Sequence, residues 1–152
     1  MMNYLLDTNI LLIYLRAKEL ASHIDKKYAP LSFPNNPIIS VVTIGELKSI
    51  ALRNSWGEKR LENIDIFIKQ FLIADIHVES IIQRYAEIDA FSQGKLKERP
   101  LKMTARNLGK NDLWIAATAS VLNATLLSTD KDFLHLDSEF LQVEFIDVSK
   151  KK

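Results

Sequence analysis

The stretch that decides the fold is Tyr4–Leu15, YLLDTNILLIYL, in which an aspartate followed by Thr8 and Asn9 interrupts a mostly apolar run. Residues 3–7 predict a short strand, and a helix is predicted to follow from Thr8, as its N-cap, to about Arg16. Asp7 lies at the junction, where an apolar side chain would be expected. It is therefore the first candidate for a functional residue.

Beyond this stretch, short apolar runs alternate with segments of helical period, after a polar stretch that contains Pro30, Pro34 and Pro37. Strands are predicted at residues 38–42, 73–78, 124–128 and 143–148. Helices are predicted from Thr43 to about Arg53, from after a break at Gly57 to about Phe71, and at residues 79–91 and 111–123, with a loop at 94–110. This alternation indicates an α/β fold, a three-layer α/β/α sandwich around a central parallel sheet. We expect one domain over residues 1–152, with a core at 3–147 and a tail at 148–152.

The composition excludes several classes of protein. Hydrophobic residues make up 47% of the chain and charged residues 26%, which excludes a disordered tail protein. Cysteine is absent, so disulfide frameworks, thiolate zinc sites and cysteine nucleophiles are excluded. No apolar run reaches about 18 residues and no basic leader precedes the first strand, so we expect a cytoplasmic protein without a membrane span. The three histidines are scattered, which gives no support to a metal-free ribonuclease.

Carboxylates recur at the predicted strand ends and helix starts: Asp7, Glu46, Asp112, Asp130 and Asp132. In a parallel sheet these points converge on one edge. Two carboxylates about 4 Å apart repel by roughly 4 kcal/mol at an effective dielectric of 20, so a cluster requires a cation or a proton. Hard divalent ions take oxygen ligands, and such ions suit phosphodiester hydrolysis.

Each acid other than Asp7 also has a purely structural interpretation. Thr43 and Glu46 match the spacing of a capping box, in which the glutamate bonds back to the backbone. Asp112 near a helix N-terminus is favoured by the helix dipole. Asp130 and Asp132 are also suited to a turn. These alternatives stay open on the sequence alone.

Four segments together carry a family resemblance: YLLDTNILLIYL at 4–15, SVVTIGEL at 40–47, NDLWIAATA at 111–119 and LLSTDKDF at 126–133. Their order and the chain length resemble a PIN domain, and more narrowly the VapC-like toxin ribonucleases of type II toxin–antitoxin systems. The resemblance extends from about residue 3 to residue 147. A haloacid-dehalogenase-type hydrolase would need a second aspartate two residues after the first, where this chain has Asn9.

The resemblance implies an endoribonuclease dependent on Mg²⁺ or Mn²⁺ that leaves 5′-phosphate and 3′-hydroxyl ends. The acids of the family fall on Asp7, Glu46, Asp112 and Asp130, as metal ligands and catalytic residues, with Asp132 as an accessory acid. Small polar residues that hydrogen-bond the acids or a metal-bound water in the family fall on Thr8, Asn9 and Thr129, and Asn111 precedes the third acid as it does in many relatives. The resemblance also implies an RNA substrate, a homodimer and a small antitoxin whose C-terminal segment blocks the acidic site.

The segment before the third acid is longer than compact members of the family need. Residues 95–110 carry six basic residues and one acid, whereas the other 14 basic residues are outnumbered by 18 acids, so the net charge of +1 hides an uneven distribution. We expect Lys102, Arg106 and Lys110 to bind RNA phosphates. A solvated loop or a docking surface for a partner is the alternative.

Two other functions fit the same residues. The first is a housekeeping PIN nuclease that processes RNA or acts on DNA, which would share the acids. The second is a PIN-like module that binds a nucleic acid or a protein without turnover. All four acid positions are filled here, which counts against the second.

Overall fold

The computed structural model describes residues 1–150, so the end of the predicted tail lies outside the described residues. Its centre is a five-stranded sheet of β1 (Asn3–Leu6), β2 (Asn36–Ser40), β3 (Leu72–Ala74), β4 (Thr125–Ser128) and β5 (Gln142–Phe145). The strand order is β3-β2-β1-β4-β5, and every neighbouring pair is parallel. The predicted parallel sheet is confirmed, with β1 at its centre.

Six α-helices cover the sheet: α1 (Thr8–Arg16), α2 (Lys18–Lys27), α3 (Val41–Arg53), α4 (Glu58–Ile68), α5 (Glu79–Ser92) and α6 (Lys110–Val121). Leu5 and Leu126 pack with α5 and α6 in one hydrophobic cluster. Leu6 and Leu127, one residue further along the same strands, pack with α1, α3 and α4 in a second cluster. Because successive strand residues face opposite sides of a sheet, helices cover both faces. The α/β/α sandwich is thus confirmed.

The second strand begins and ends two residues earlier than expected. It starts at Asn36, so that Pro37 lies inside the strand. Pro37 pairs with Tyr4 of β1, whereas the pairing with β3 begins only at Ile38. On the β3 side, the N–H that proline lacks is therefore not needed for a hydrogen bond between strands. Ser40 then ends the strand, because its side chain accepts a hydrogen bond from the Val42 N–H and caps α3.

Other boundaries differ because side chains bond to the backbone near strand ends. β3 ends at Ala74, and Asp75 then accepts a hydrogen bond from the His77 N–H, so the expected strand to residue 78 is wrong. β5 ends at Phe145, and Asp147 accepts from the Ser149 N–H in the same way. Helix α4 also ends earlier than expected, at Ile68.

Helix α2 was not predicted, because it lies in the polar stretch before Pro30. It buries just Ala21 and Ile24, so its apolar pattern in the sequence is weak. The expected loop at 94–110 spans residues 93–109, yet it contributes to the core. Leu108 is buried among the side chains of α5 and α6, and the Arg106 N–H donates to the Ser92 carbonyl at the end of α5. A short 3₁₀ helix at Lys131–Leu136 follows β4. Within the described residues no helix is long and apolar enough to cross a membrane.

Leu126 lies on β4 with none of its surface exposed. Replacing it with alanine should lower the free energy of unfolding by about 2–5 kcal/mol, because the substitution leaves a cavity in the core. The matched control is Leu52→Ala on α3, where the leucine is 82% exposed and the loss should stay within about 0.5 kcal/mol. Urea unfolding followed by circular dichroism measures both, and equal losses would contradict this assignment of the core.

Candidate active site

The four candidate acids line one open cleft at the carboxyl edge of the sheet. Asp7 follows β1, Asp130 follows β4, Glu46 lies on α3 and Asp112 lies in the first turn of α6. The cleft has a volume of about 600 Å³. Its lining residues are Asp7, Thr8, Asn9, Val42, Gly45, Glu46, Ser49, Ile50, Arg53, Asn111, Asp112 and Asp130. The convergence expected from a parallel sheet is therefore observed.

Asp7 is the most deeply held of these acids, with only 7% of its surface exposed. Its Oδ1 accepts a hydrogen bond of 2.8 Å from the Thr8 N–H, so Asp7 is the N-cap of α1 and the expectation of Thr8 in that role is wrong. Its Oδ2 accepts a 2.8 Å bond from the Ser128 hydroxyl. The Ser128 oxygen in turn accepts from the Asp130 N–H at 3.0 Å, so one buried serine links two acids.

Glu46 is held by two donors from other elements. Its Oε1 accepts from the Thr8 hydroxyl at 2.6 Å, and its Oε2 accepts from the Asn111 side-chain amide at 3.1 Å. The capping-box interpretation of Glu46 is wrong, because Ser40 caps α3 and the glutamate side chain faces the cleft instead. Thr8 thus contacts Asp7 through its backbone and Glu46 through its side chain.

The remaining accessory residues have different positions. The Asn9 side-chain amide donates to the Thr129 hydroxyl at 3.3 Å, which joins the start of α1 to the end of β4. Asp130 accepts from the Asp132 N–H at 2.9 Å, so it caps the 3₁₀ helix while lining the cleft. The turn interpretation of Asp130 is therefore correct, and it is compatible with a place in the site. Asp132 itself lies outside the cleft lining.

Burial and the neighbouring negative charges raise the pKa of two acids of the cluster, Asp112 and Asp7. The pKa of Asp112 is raised to about 7, first by burial and then by the charges of Asp7, Asp130, Glu46 and Asp132. Burial also raises the pKa of Asp7, while its hydrogen bonds from Ser128 and Thr8 act in the opposite direction. Repulsion among the acids therefore adds to the effect of burial at Asp7 and Asp112.

The three basic residues expected to bind RNA lie outside the cleft lining. Among the described residues that line the cleft, neither Lys102 nor Arg106 nor Lys110 appears, and Arg53 is the basic residue found there. Arg106 turns toward the protein, where its Nε is buried. Ser49, Arg53 and Ser128 are site residues that the sequence reading missed. Ser49 and Arg53 follow Glu46 by three and seven residues on α3, a helical spacing that could have identified them.

The oxygen donors fit a hard divalent cation. Asp112 accepts no hydrogen bond from the described residues. Its carboxylate oxygens therefore remain available as metal ligands, next to the three other acids of the cleft. Within residues 1–150, no three acids or histidines already surround a common ion position. Hard divalent cations take carboxylate oxygens as ligands, and Mg²⁺ is usually bound directly by one or two carboxylates while it keeps several waters.

The Asp112 pKa gives a prediction for the metal-free protein. Because this pKa is raised above its unfolded value of 3.8, the folded state binds the proton more tightly, and stability should rise as pH falls from about 8 to about 6. Asp112→Asn removes one charge at constant size, so its melting temperature should exceed that of the wild type at about pH 8 and should rise less on acidification.

Thermal unfolding in EDTA at both pH values checks this. The matched control, Asp65→Asn on the exposed surface of α4, should behave as the wild type does. An Asp112→Asn protein that is less stable than the wild type at about pH 8 would contradict the raised pKa of Asp112.

Comparison with known proteins agrees with this geometry. Ribonuclease VapC2 of Rickettsia felis is 29% identical over 145 residues, which cover 93% of this chain and 97% of that protein. The crystal structure of VapBC2 from Rickettsia felis, bound to a DNA fragment from their promoter, has a TM-score of 0.74 and 25% identity, and the match covers 96% of this chain and 100% of that chain. VapBC-1 from nontypeable Haemophilus influenzae has a TM-score of 0.68 and 26% identity, over 95% of this chain and 98% of that chain. The sequence model of the PIN domain matches residues 4–139, so the chain belongs to the PIN domain family.

Proposed function

We propose that this protein is a metal-dependent endoribonuclease and the toxin of a toxin–antitoxin pair. The observation that carries the proposal is the cleft, in which Asp7, Glu46, Asp112 and Asp130 meet in a chain of the PIN family. The relative named Ribonuclease VapC2 supports RNA as the substrate. The structural similarity to VapBC complexes supports an antitoxin as the partner.

Asp7, Asp112 and Asp130 would hold one or two Mg²⁺ or Mn²⁺ ions, with Glu46 as a further ligand or as a base. The donor chemistry supports this, because the neighbouring negative charges help to raise the pKa of Asp112 and, among the described residues, none of these acids forms an ion pair. Carboxylate oxygens in such a place are suitable ligands for a divalent cation. When bound, the cation supplies Lewis-acid stabilisation of charge on the phosphate oxygens. Asp132 lies nearby as an accessory acid that adds negative charge.

The other residues of the site orient these acids. Thr8 and Asn111 each donate to one oxygen of Glu46, which fixes the direction in which the carboxylate accepts the proton of an attacking water. Ser128 fixes Asp7, and the bond from Asn9 to Thr129 holds the start of α1 next to the end of β4 at the cleft edge. In-line attack on phosphorus by the water then leaves 5′-phosphate and 3′-hydroxyl ends.

The partners follow from the same proposal. The whole chain acts as one PIN domain, assembles as a homodimer and works in the cytoplasm. A small antitoxin covers the acidic cleft and blocks access to RNA. Lys102, Arg106 and Lys110, which lie in or next to the loop at 93–109, bind RNA outside the cleft. A housekeeping nuclease would share the acids but need no antitoxin.

Asp7→Asn should reduce RNA cleavage by roughly hundredfold or more, since it removes a charged ligand from the metal site. Cleavage of total cellular RNA in Mg²⁺, followed by gel electrophoresis, measures the effect, and EDTA should abolish the wild-type activity. The control is Asp65→Asn, which removes a carboxylate far along α4 and should keep full activity. Circular dichroism verifies that each variant folds.

Undiminished activity of a folded Asp7→Asn protein, or activity in EDTA, would contradict the metal mechanism. RNA binding by a wild-type protein that never cleaves it would favour a binding module instead.

The toxin assignment has its own test. Induced expression of the wild-type chain should slow the growth of a bacterial host, and Asp7→Asn should not. Co-expression with a short open reading frame adjoining the gene should restore growth. A wild-type protein that cleaves RNA in vitro but leaves growth unchanged would favour the housekeeping nuclease.

A further inference from the structure

The acidic cleft has one basic side chain among its described lining residues, Arg53 in the last turn of α3. Glu46, Ser49 and Arg53 lie on one face of this helix, because they are separated by three and four residues. Glu46 and Arg53 are seven residues apart, which corresponds to about 10 Å along the helix axis. The cleft therefore has a negative end at the carboxylates and a positive end at Arg53.

Arg53 is not engaged in holding the fold together. Its Nε donates to the Ser49 hydroxyl at 3.4 Å, which is the long limit of a hydrogen bond, and its side chain is exposed. The ion pairs among the described residues are those of Arg84 with Glu87 and of Arg99 with Glu139, and neither involves Arg53. Its terminal guanidinium nitrogens therefore remain available as donors.

Two other arginines show the contrast. Arg84 donates to the Ser120 hydroxyl, and Arg99 donates to the Glu139 carbonyl and stacks over the Phe140 ring. These side chains fasten one element of the protein to another. Arg53 makes no such contact outside its own helix in the described residues, although it borders the site.

A guanidinium in this position matches the chemistry of a nucleic-acid strand. RNA carries one phosphate per nucleotide, and the carboxylates repel every phosphate that is not neutralised by a cation. An arginine forms strong, charge-assisted hydrogen bonds to phosphate oxygens, often two at a time. We consider an RNA strand that runs along α3 with its reacting phosphate at the acids. A flanking phosphate of such a strand lies next to Arg53.

We propose that Arg53 binds a phosphate next to the reacting one and so positions the RNA strand along α3. The inference rests on the proposed ribonuclease function and adds a binding residue to it. Arg53 also lies favourably at the C-terminus of α3, where any cation is stabilised by the helix dipole. The helix dipole explains why a positively charged residue is favourable at this position, but it does not require that residue to line the cleft. The experiment separates the helix-dipole role from the phosphate-binding role.

The variants are Arg53→Ala, Arg53→Lys and the matched control Lys48→Ala. Lys48 lies on the same helix, is exposed and does not line the cleft, so its loss changes the net charge equally. Each variant is tested for kcat and KM on an RNA that the wild type cleaves. Each is also tested, in the Asp7→Asn background, for binding of the same RNA by fluorescence anisotropy over a range of salt concentrations.

Arg53→Ala should raise KM and Kd roughly three- to tenfold, with kcat nearly unchanged, because one charged phosphate contact is lost. The slope of log Kd against log salt should fall by about 0.7, the value for one phosphate contact on a single strand. Arg53→Lys should restore most of the affinity, since a lysine also binds phosphate as a point charge. Lys48→Ala should resemble the wild type.

Equal effects of Arg53→Ala and Lys48→Ala would overturn the proposal, because they would show only an effect of net charge. A lower melting temperature with unchanged KM and Kd would overturn it in favour of the helix-dipole role. Weaker binding of a protein partner with unchanged RNA binding would also overturn it. A wild-type chain that cleaves no RNA would instead refute the proposed function.

Discussion

The mutual repulsion of four carboxylates at one edge of the sheet is the constraint on which the rest of the site depends. Hydrogen-bond donors from different elements partly offset this repulsion: Ser128 donates to Asp7, while Thr8 and Asn111 donate to Glu46. Asp112 has no such donor among the described residues, and burial together with the charges of the neighbouring acids raises its pKa to about 7. A cluster of this kind costs stability in the absence of a cation, so its presence indicates a function rather than a structural role.

The topology explains how residues 7, 46, 112 and 130 reach one cleft. β1 and β4 are neighbours at the centre of the sheet, so the residues that follow them, Asp7 and Asp130, emerge side by side. Helix α3 follows β2 and therefore begins at the same edge. Helix α6 leads into β4, so it runs against the strand direction and its first turn, with Asp112, also lies at that edge.

The fold class and the four acids could be predicted because both depend on local sequence: continuous apolar runs indicate buried parallel strands, and polar residues at their ends face the shared edge. Features that depend on side-chain direction could not be predicted. Glu46 matched a capping box in sequence, but α3 is capped by Ser40, and the Glu46 side chain lines the cleft instead. Arg106 carried the expected charge, but its Nε is buried and it does not line the cleft, whereas Arg53 lies outside the basic segment and borders the site. The directions of the Glu46, Arg106 and Arg53 side chains depend on tertiary packing, which a sequence pattern does not contain.

The most direct test of the central claim, that the converging acids form a divalent-cation site, is a titration of the metal-free protein with Mn²⁺, followed by electron paramagnetic resonance of the free ion. The account predicts saturable binding of one or two ions per chain, competition by Mg²⁺, and a loss of at least about tenfold in affinity for Asp112→Asn. Absence of binding by the wild type, or equal binding by Asp112→Asn, would contradict it.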